Sequence, residues 1–155
     1  MKCPFCSKEN DADTLKCECG YQFKEYKAAT IPNISNTSEN IRFVDSIKNG
    51  IDEAMEEHDN LVIMGQDIAE YGGVFKITEG LMGKYGKNRV FNTPLCESSI
   101  LSASYGMSIG GFKTIVEMQF SDFISSGFTS IVNLIAKSNY RWSQNSDIVV
   151  RMPCG

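Results

Sequence analysis

The sequence predicts an α/β protein, with a mostly parallel sheet covered by helices and a small cysteine-framed unit ahead of it. Three observations predict this. From about residue 41, short apolar runs alternate with segments of helical periodicity, the pattern of strands joined by crossover helices. The run Leu61-Val62-Ile63-Met64-Gly65 is apolar without alternation, which suits a strand buried on both faces. Four of the six cysteines fall within the first 19 residues, a density that marks a metal-organised unit more than a disulfide framework.

Residues 1–27 form that first unit. Cys3-Pro4-Phe5-Cys6 is followed by ten residues and then by Cys17-Glu18-Cys19-Gly20. Two thiolate pairs on two tight turns can fill a tetrahedral zinc shell, so Cys3, Cys6, Cys17 and Cys19 are the expected ligands of a structural zinc. So short a segment cannot bury enough apolar area to fold alone, and a metal supplies what is missing. The unit resembles a zinc ribbon, although its second pair is Cys-x-Cys. A glutaredoxin-like redox motif and a ribbon that has lost its metal are the competing readings. Residues 28–40, rich in Asn, Ser and Thr, read as a linker.

The remaining residues, 41–155, carry the sheet. Ile41, Val44, Ile47, Ile51, Ala54 and Met55 recur at helical spacing, with Ser38 or Asn40 as N-cap, and His58 reads as a solvated residue at the helix end. After the strand at 61–65, a helix is expected at 76–85 and a strand at 89–92. A helix at 98–109 should stop at Gly110-Gly111, followed by a strand at 114–118. A long helix at 121–138 should bury Ile124, Phe128, Ile131, Val132 and Ile135, leaving Phe123 about 100° off that stripe. A final strand is expected at 147–152. It delivers its carboxyl end where such folds build ligand crevices, yet only a few residues follow, so the domain is expected to be truncated.

Bulk properties exclude several classes. A net charge of −4 offers no basic face for nucleic acid. No apolar run approaches the roughly 18 residues needed to span a bilayer. The amino terminus lacks the apolar core of a signal peptide, which points to the cytoplasm and makes the Asn-x-Ser triplets at Asn33 and Asn36 irrelevant.

Glu97 is the acid best placed for chemistry. It follows a strand and Thr93-Pro94 and opens a helix, at the edge where parallel sheets bind ligands. Burial would raise its pKa and the helix N-terminus would lower it, a contest the sequence leaves open. The competing reading is an ordinary helix N-cap. Ser98, Ser102, Gly106 and Gly110 at i, i+4 spacing make a small-residue stripe that admits a second backbone.

Ordered matches run through Gly65-Gln66-Asp67-Ile68-Ala69, Tyr71-Gly72-Gly73-Val74-Phe75, Thr78-Glu79-Gly80-Leu81 and Arg89-Val90-Phe91-Asn92-Thr93-Pro94-Leu95-Cys96-Glu97. They continue through Glu117-Met118-Gln119-Phe120-Ser121-Asp122-Phe123 and Ile131-Val132-Asn133. On these residues the segment resembles the beta subunit of the decarboxylating component of 2-oxo acid dehydrogenase complexes. The resemblance implies a partial thiamine-diphosphate pyrimidine-binding domain, with Glu97, Ser102-Ala103 and Gly106 in the signature positions. It implies that Glu97 is catalytic, exchanging a proton with the cofactor's aminopyrimidine. It also places Leu95, Gln119, Phe123 and Gln66 around the cofactor, with Phe123 suited to stacking. Gln66 stands where relatives usually carry glutamate, and an amide cannot relay a proton. The magnesium and diphosphate clamp of the family is missing and would lie on a partner alpha subunit, in a heterotetramer that passes acyl groups to a lipoyl acyltransferase. The matches do not distinguish one 2-oxo acid from another. The rival readings are a noncatalytic adaptor docked through its ribbon and another transketolase-like thiamine enzyme.

Overall fold

Four strands, β1 (Leu61–Gly65), β2 (Val90–Asn92), β3 (Lys113–Glu117) and β4 (Ile148–Arg151), form one sheet in the order β2-β1-β3-β4. All three pairings are parallel, as expected, and the register aligns Asn92, Gly65, Glu117 and Arg151 in one row at the carboxyl edge. This computed structural model describes residues 3, 6–11, 16–19 and 40–154. The chain divides into two units, Met1–Glu39 and Asn40–Gly155. The expected linker at 28–40 lies outside the described residues except for Asn40.

Both faces of the sheet are covered, which explains why β1 is apolar throughout. Leu61 and Ile63 pack with Ile51 and Met55 of α1 (Phe43–Glu57), Leu81 of α2 (Leu81–Tyr85), Ile68, Ile77, Val90 and Ile115. Met64 and Val116 point the other way, to Met118 and to Ile100 and Leu101 of α3 (Glu97–Ile109). Each such side chain contributes about 1.5–3 kcal/mol when fully buried. Gly65 is required where β1 and β3 meet, since a Cβ there would lie 2.6 Å from the Glu117 carbonyl oxygen. Among the described residues, no helix is long and apolar enough to cross a membrane.

Several expected elements differ. Helix α1 begins at Phe43 with Arg42 as its N-cap and no side-chain cap, so Asn40 does not cap it, and Ser38 lies outside the described residues. Ile41 is exposed ahead of the helix. Arg42 instead grips Asp45 of the first turn with two hydrogen bonds, 2.7 and 2.9 Å. The helix expected at 76–85 shrinks to α2, because Lys76 and Gly80 take left-handed backbone at φ 58° and 86°. Residues 66–80 form a loop that buries Ile68, Ala69 and Ile77 and is tied by Thr78 Oγ1 donating to the Ile68 carbonyl at 2.6 Å.

The helix expected at 121–138 is broken into four pieces. A 3₁₀ turn (Ser121–Phe123) leads into α4 (Ile124–Ser130), a π turn (Ile131–Ile135) and then α5 (Ser138–Trp142). Ser125 and Ser126 donate back to the carbonyls of Asp122 and Phe123, a local competition that weakens continuous helix. The Ala136 N–H reaches back five residues to the Ile131 carbonyl. Ile124, Ile131 and Ile135 join the core as expected. Phe128 does not: it is 59% exposed, because α4 turns Gly127 and Ser130 towards α3.

One ion pair crosses the sheet edge. Arg151 donates from Nε to Glu117 Oε2 at 3.0 Å, and its Nη2 lies 2.6 Å from Oε1 in poor hydrogen-bond alignment. Glu117 is 2% exposed, and desolvation pushes its carboxyl above the usual range against the pull of Arg151. Arg151→Met should therefore lower stability by about 3–5 kcal/mol at neutral pH in urea unfolding, since it strands a buried charge. The loss should shrink as pH falls and Glu117 takes a proton, and Glu117→Leu added to Arg151→Met should recover part of it.

Candidate functional site

The strand order reverses at β1, so the carboxyl ends of β1 and β3 lie at the topological position where open parallel sheets bind ligands. Gln66 follows β1 directly. Glu97 is the first residue of α3, with Cys96 as N-cap, so Glu97 is not itself the cap. Its side chain is half-buried. Gln66, 4% exposed, donates from Nε2 to Glu97 Oε1 at 3.2 Å. Ser126 of α4 donates to Glu97 Oε2 at 3.0 Å.

Close packing of α4 on α3 makes this possible. A Cβ on Gly127 would lie 3.3 Å from the Glu97 carbonyl oxygen and would strike the Leu101 side chain. Of the small-residue stripe, Ser98 and Ser102 meet Ser130 of α4 at 3.2 and 3.1 Å, while Gly106 faces open space. The stripe admits a second backbone over its first half.

The contest over Glu97 resolves downwards. Its own backbone N–H at the helix start, then the Gln66 amide, with the Ser126 hydroxyl in addition, outweigh burial and hold the carboxyl below the ordinary value of 4.5. Among the described residues no lysine or arginine pairs with it.

Among the described residues, the side-chain partners of Glu97 are Gln66 and Ser126, and none of the other expected cofactor residues bonds it directly. Phe123 is 44% exposed and meets Phe120 edge-to-face at 6.2 Å, and Phe120 meets Phe75 at 6.3 Å. Phe123 lies one hydroxyl away from Glu97, since Ser126 Oγ also reaches the Phe123 carbonyl at 2.9 Å. Gln119 is turned towards Asp67, with 3.4 Å between Nε2 and Oδ2. Leu95 is 79% exposed, two residues ahead of Glu97. Sequence reasoning missed Ser126 and the Glu117–Arg151 pair. The pair had a signal, opposite charges ending two apolar strands. Ser126 had none beyond the serine-rich start of α4.

The first unit is a separate site. The sulfurs of Cys3, Cys6, Cys17 and Cys19 all lie within 4.8 Å of one another, with Cys3–Cys19 and Cys6–Cys17 at 3.6 Å. Tetrahedral Zn–S bonds of about 2.3 Å place sulfurs about 3.8 Å apart, so the donor set fits such an ion. Cys3 and Cys17 are buried and Cys6 and Cys19 exposed. The Cys3 N–H donates to the Lys8 carbonyl at 2.8 Å, and Lys8 pairs with Glu18. The Cys19 backbone N–H and neighbouring thiols draw the Cys17 thiol down to about 6, towards the thiolate a metal requires.

Glu97 should titrate below 4.5 when its carboxyl carbon is followed by NMR, and Ser126→Ala should raise the midpoint. Because the folded value is depressed, the stability Glu97 contributes is present above the unfolded value and is lost as pH falls through the folded one.

Comparison with known proteins gives the family of this domain. The family model described as transketolase, pyrimidine binding domain matches residues 39–155. The pyruvate dehydrogenase E1 component subunit beta of Acholeplasma laidlawii is 41% identical over 117 residues, 74% of this chain and 36% of that protein. The 2-oxoisovalerate dehydrogenase subunit beta of Pseudomonas aeruginosa is 38% identical over 124 residues, 78% of this chain and 35% of that protein. Its Bacillus subtilis counterpart is 40% identical over 117 residues, 73% and 35%. The chain thus spans about a third of the length of the curated relatives it matches. With the parallel sheet, its order reversal and the matched span of 39–155, the chain belongs to the transketolase pyrimidine-binding domain family.

Proposed function

We propose that the α/β domain is the pyrimidine-binding part of a thiamine-diphosphate-dependent 2-oxo acid dehydrogenase, in a beta-type subunit that works with an alpha partner. The observation that carries the reading is Glu97, a half-buried carboxylate at a helix start, held by neutral groups at the order reversal of a parallel sheet. That donor set fits an aminopyrimidine, which asks for one acid able to take and return a ring-nitrogen proton, and the exposed Phe123 offers an aromatic face beside it. When bound, the cofactor would supply a nucleophilic carbon and an electron sink for decarboxylation. Glu97 moves the proton at the ring nitrogen, Gln66 and Ser126 orient its carboxylate, and Leu95 and Gln119 line the approach. The magnesium and diphosphate are held by the alpha partner, and the acyl group passes to the lipoyl acyltransferase. The relatives named for pyruvate and for 2-oxoisovalerate dehydrogenases support a 2-oxo acid as the substrate.

Reconstituted with an alpha subunit, thiamine diphosphate and magnesium, the protein should decarboxylate a 2-oxo acid. Glu97→Gln should slow that reaction by roughly 10²–10⁴-fold. A loss within a few-fold would remove Glu97 from the chemistry.

The cysteine unit, in the same proposal, holds one structural zinc through Cys3, Cys6, Cys17 and Cys19. Four thiolates close the shell and leave no position for water, so the ion serves folding and not catalysis. Metal analysis should find one zinc per chain, released by chelator at neutral pH and by acid as the thiolates take up protons. Cys17→Ser should abolish zinc binding and leave the unfolding of the α/β domain unchanged.

A further inference from the structure

We infer that Gln66 and Ser126 form an amphoteric cradle that holds Glu97 both with and without its proton, Gln66 by turning its amide and Ser126 by donating to the other carboxyl oxygen in both states. The inference deepens the thiamine reading and rests on it for its purpose, but the geometry stands alone. An ionised carboxylate can only accept hydrogen bonds, so Gln66 must present Nε2, as it does at 3.2 Å from Glu97 Oε1. This leaves Gln66 Oε1 buried without a partner, on a side chain 4% exposed. A buried carbonyl oxygen without a donor is unfavourable and needs a reason.

Protonation of Glu97 supplies one. The acid then becomes a donor, and a half-turn of the amide brings the unpaired oxygen to accept from it. Ser126 needs no such turn, although its hydroxyl reaches both Glu97 Oε2 at 3.0 Å and the Phe123 carbonyl at 2.9 Å. With a single proton it serves the carboxylate when Glu97 is ionised. It serves Oε2 again when Glu97 is neutral, because the acid's one proton sits on Oε1, facing Gln66, and leaves Oε2 an acceptor.

The groups that face Glu97 are its own N–H from α3, the Gln66 amide from the end of β1 and the Ser126 hydroxyl from α4. The neighbouring titratable group is the Cys96 thiol, itself bonded to Ser99 at 3.0 Å. None of these is a fixed cation, which would hold the carboxylate permanently ionised. Gln66 is thus a positioning residue, and proton transfer at Glu97 requires only one amide rotation.

The test follows two resonances in the labelled full chain without cofactor, the Glu97 carboxyl carbon and the Gln66 side-chain NH₂. The Gln66 resonances should move through pH with the Glu97 midpoint. Gln66→Leu should raise that midpoint by about one unit, a tenfold change in proton affinity. Gln66→Glu should raise it further and split the titration into two steps, since two adjacent carboxyls share a proton. Gln66 resonances that stay flat through the Glu97 midpoint overturn the cradle even if the variants do not fold, and so does a Gln66→Leu midpoint equal to wild type. Failure of reconstitution with the alpha subunit would leave these titrations standing, and flat Gln66 resonances would leave the thiamine reading standing.

Discussion

The backbone contact between Gly127 and the first turn of α3 sets the spacing on which the candidate site depends. It brings α4 close enough for Ser126 to reach Glu97 and for Ser130 to bridge Ser98 and Ser102. A larger residue at 127 would have to push α4 away from the Glu97 carbonyl or displace Leu101 from the core, because packed interiors have no slack for a methyl group. The π turn after α4 belongs to the same constraint. It lets Ile131 and Ile135 return to the sheet after Gly127 and Ser130, not Phe128, have taken the face towards α3. Such turns are often found near functional sites, and here the turn reconciles a close helix contact with core burial.

Two glutamates at the carboxyl edge show how environment assigns their roles. Glu117 is almost wholly buried, paired with Arg151 in register on the next strand, and serves the sheet. Glu97 is half-buried, touches only neutral groups and can lose or gain a proton at little structural expense. Replacing the partners of one with those of the other would exchange the roles, because a cation favours the charged form while an amide and a hydroxyl serve both forms.

The sheet was legible because its signal is burial. Leu61–Gly65 had to be covered on both sides, and α3 announced both its start after Thr93-Pro94 and its stop at Gly110-Gly111. The segments that misled are those where tertiary contacts override the local pattern. Residues 76–80 carry a helical rhythm, yet Lys76 takes left-handed backbone with its ammonium over the Tyr71 ring. The stripe through Phe128 assumed a continuous helix, and no periodicity reports that the buried face will follow a glycine. Glu97 was legible from its place after a strand, whereas Ser126 was not, because only the folded contact of α4 with α3 gives that hydroxyl a partner. In the first unit, the cysteine spacing carried the whole signal.

The open side of Glu97 gives its depressed pKa a further meaning. In the free chain the helix start and two hydrogen bonds prevail over desolvation because the carboxylate is still partly wetted. Leu95, Phe120 and Phe123 nearby are exposed apolar surface. A flat ring or a partner surface laid over them removes that water, and desolvation then drives the carboxyl upwards towards the neutral form. The helix start and the cover therefore pull in opposite directions, and their balance changes only when that water is removed. On the proposed reading, this balance suits Glu97 to exchange a proton with the bound ring once the site is covered.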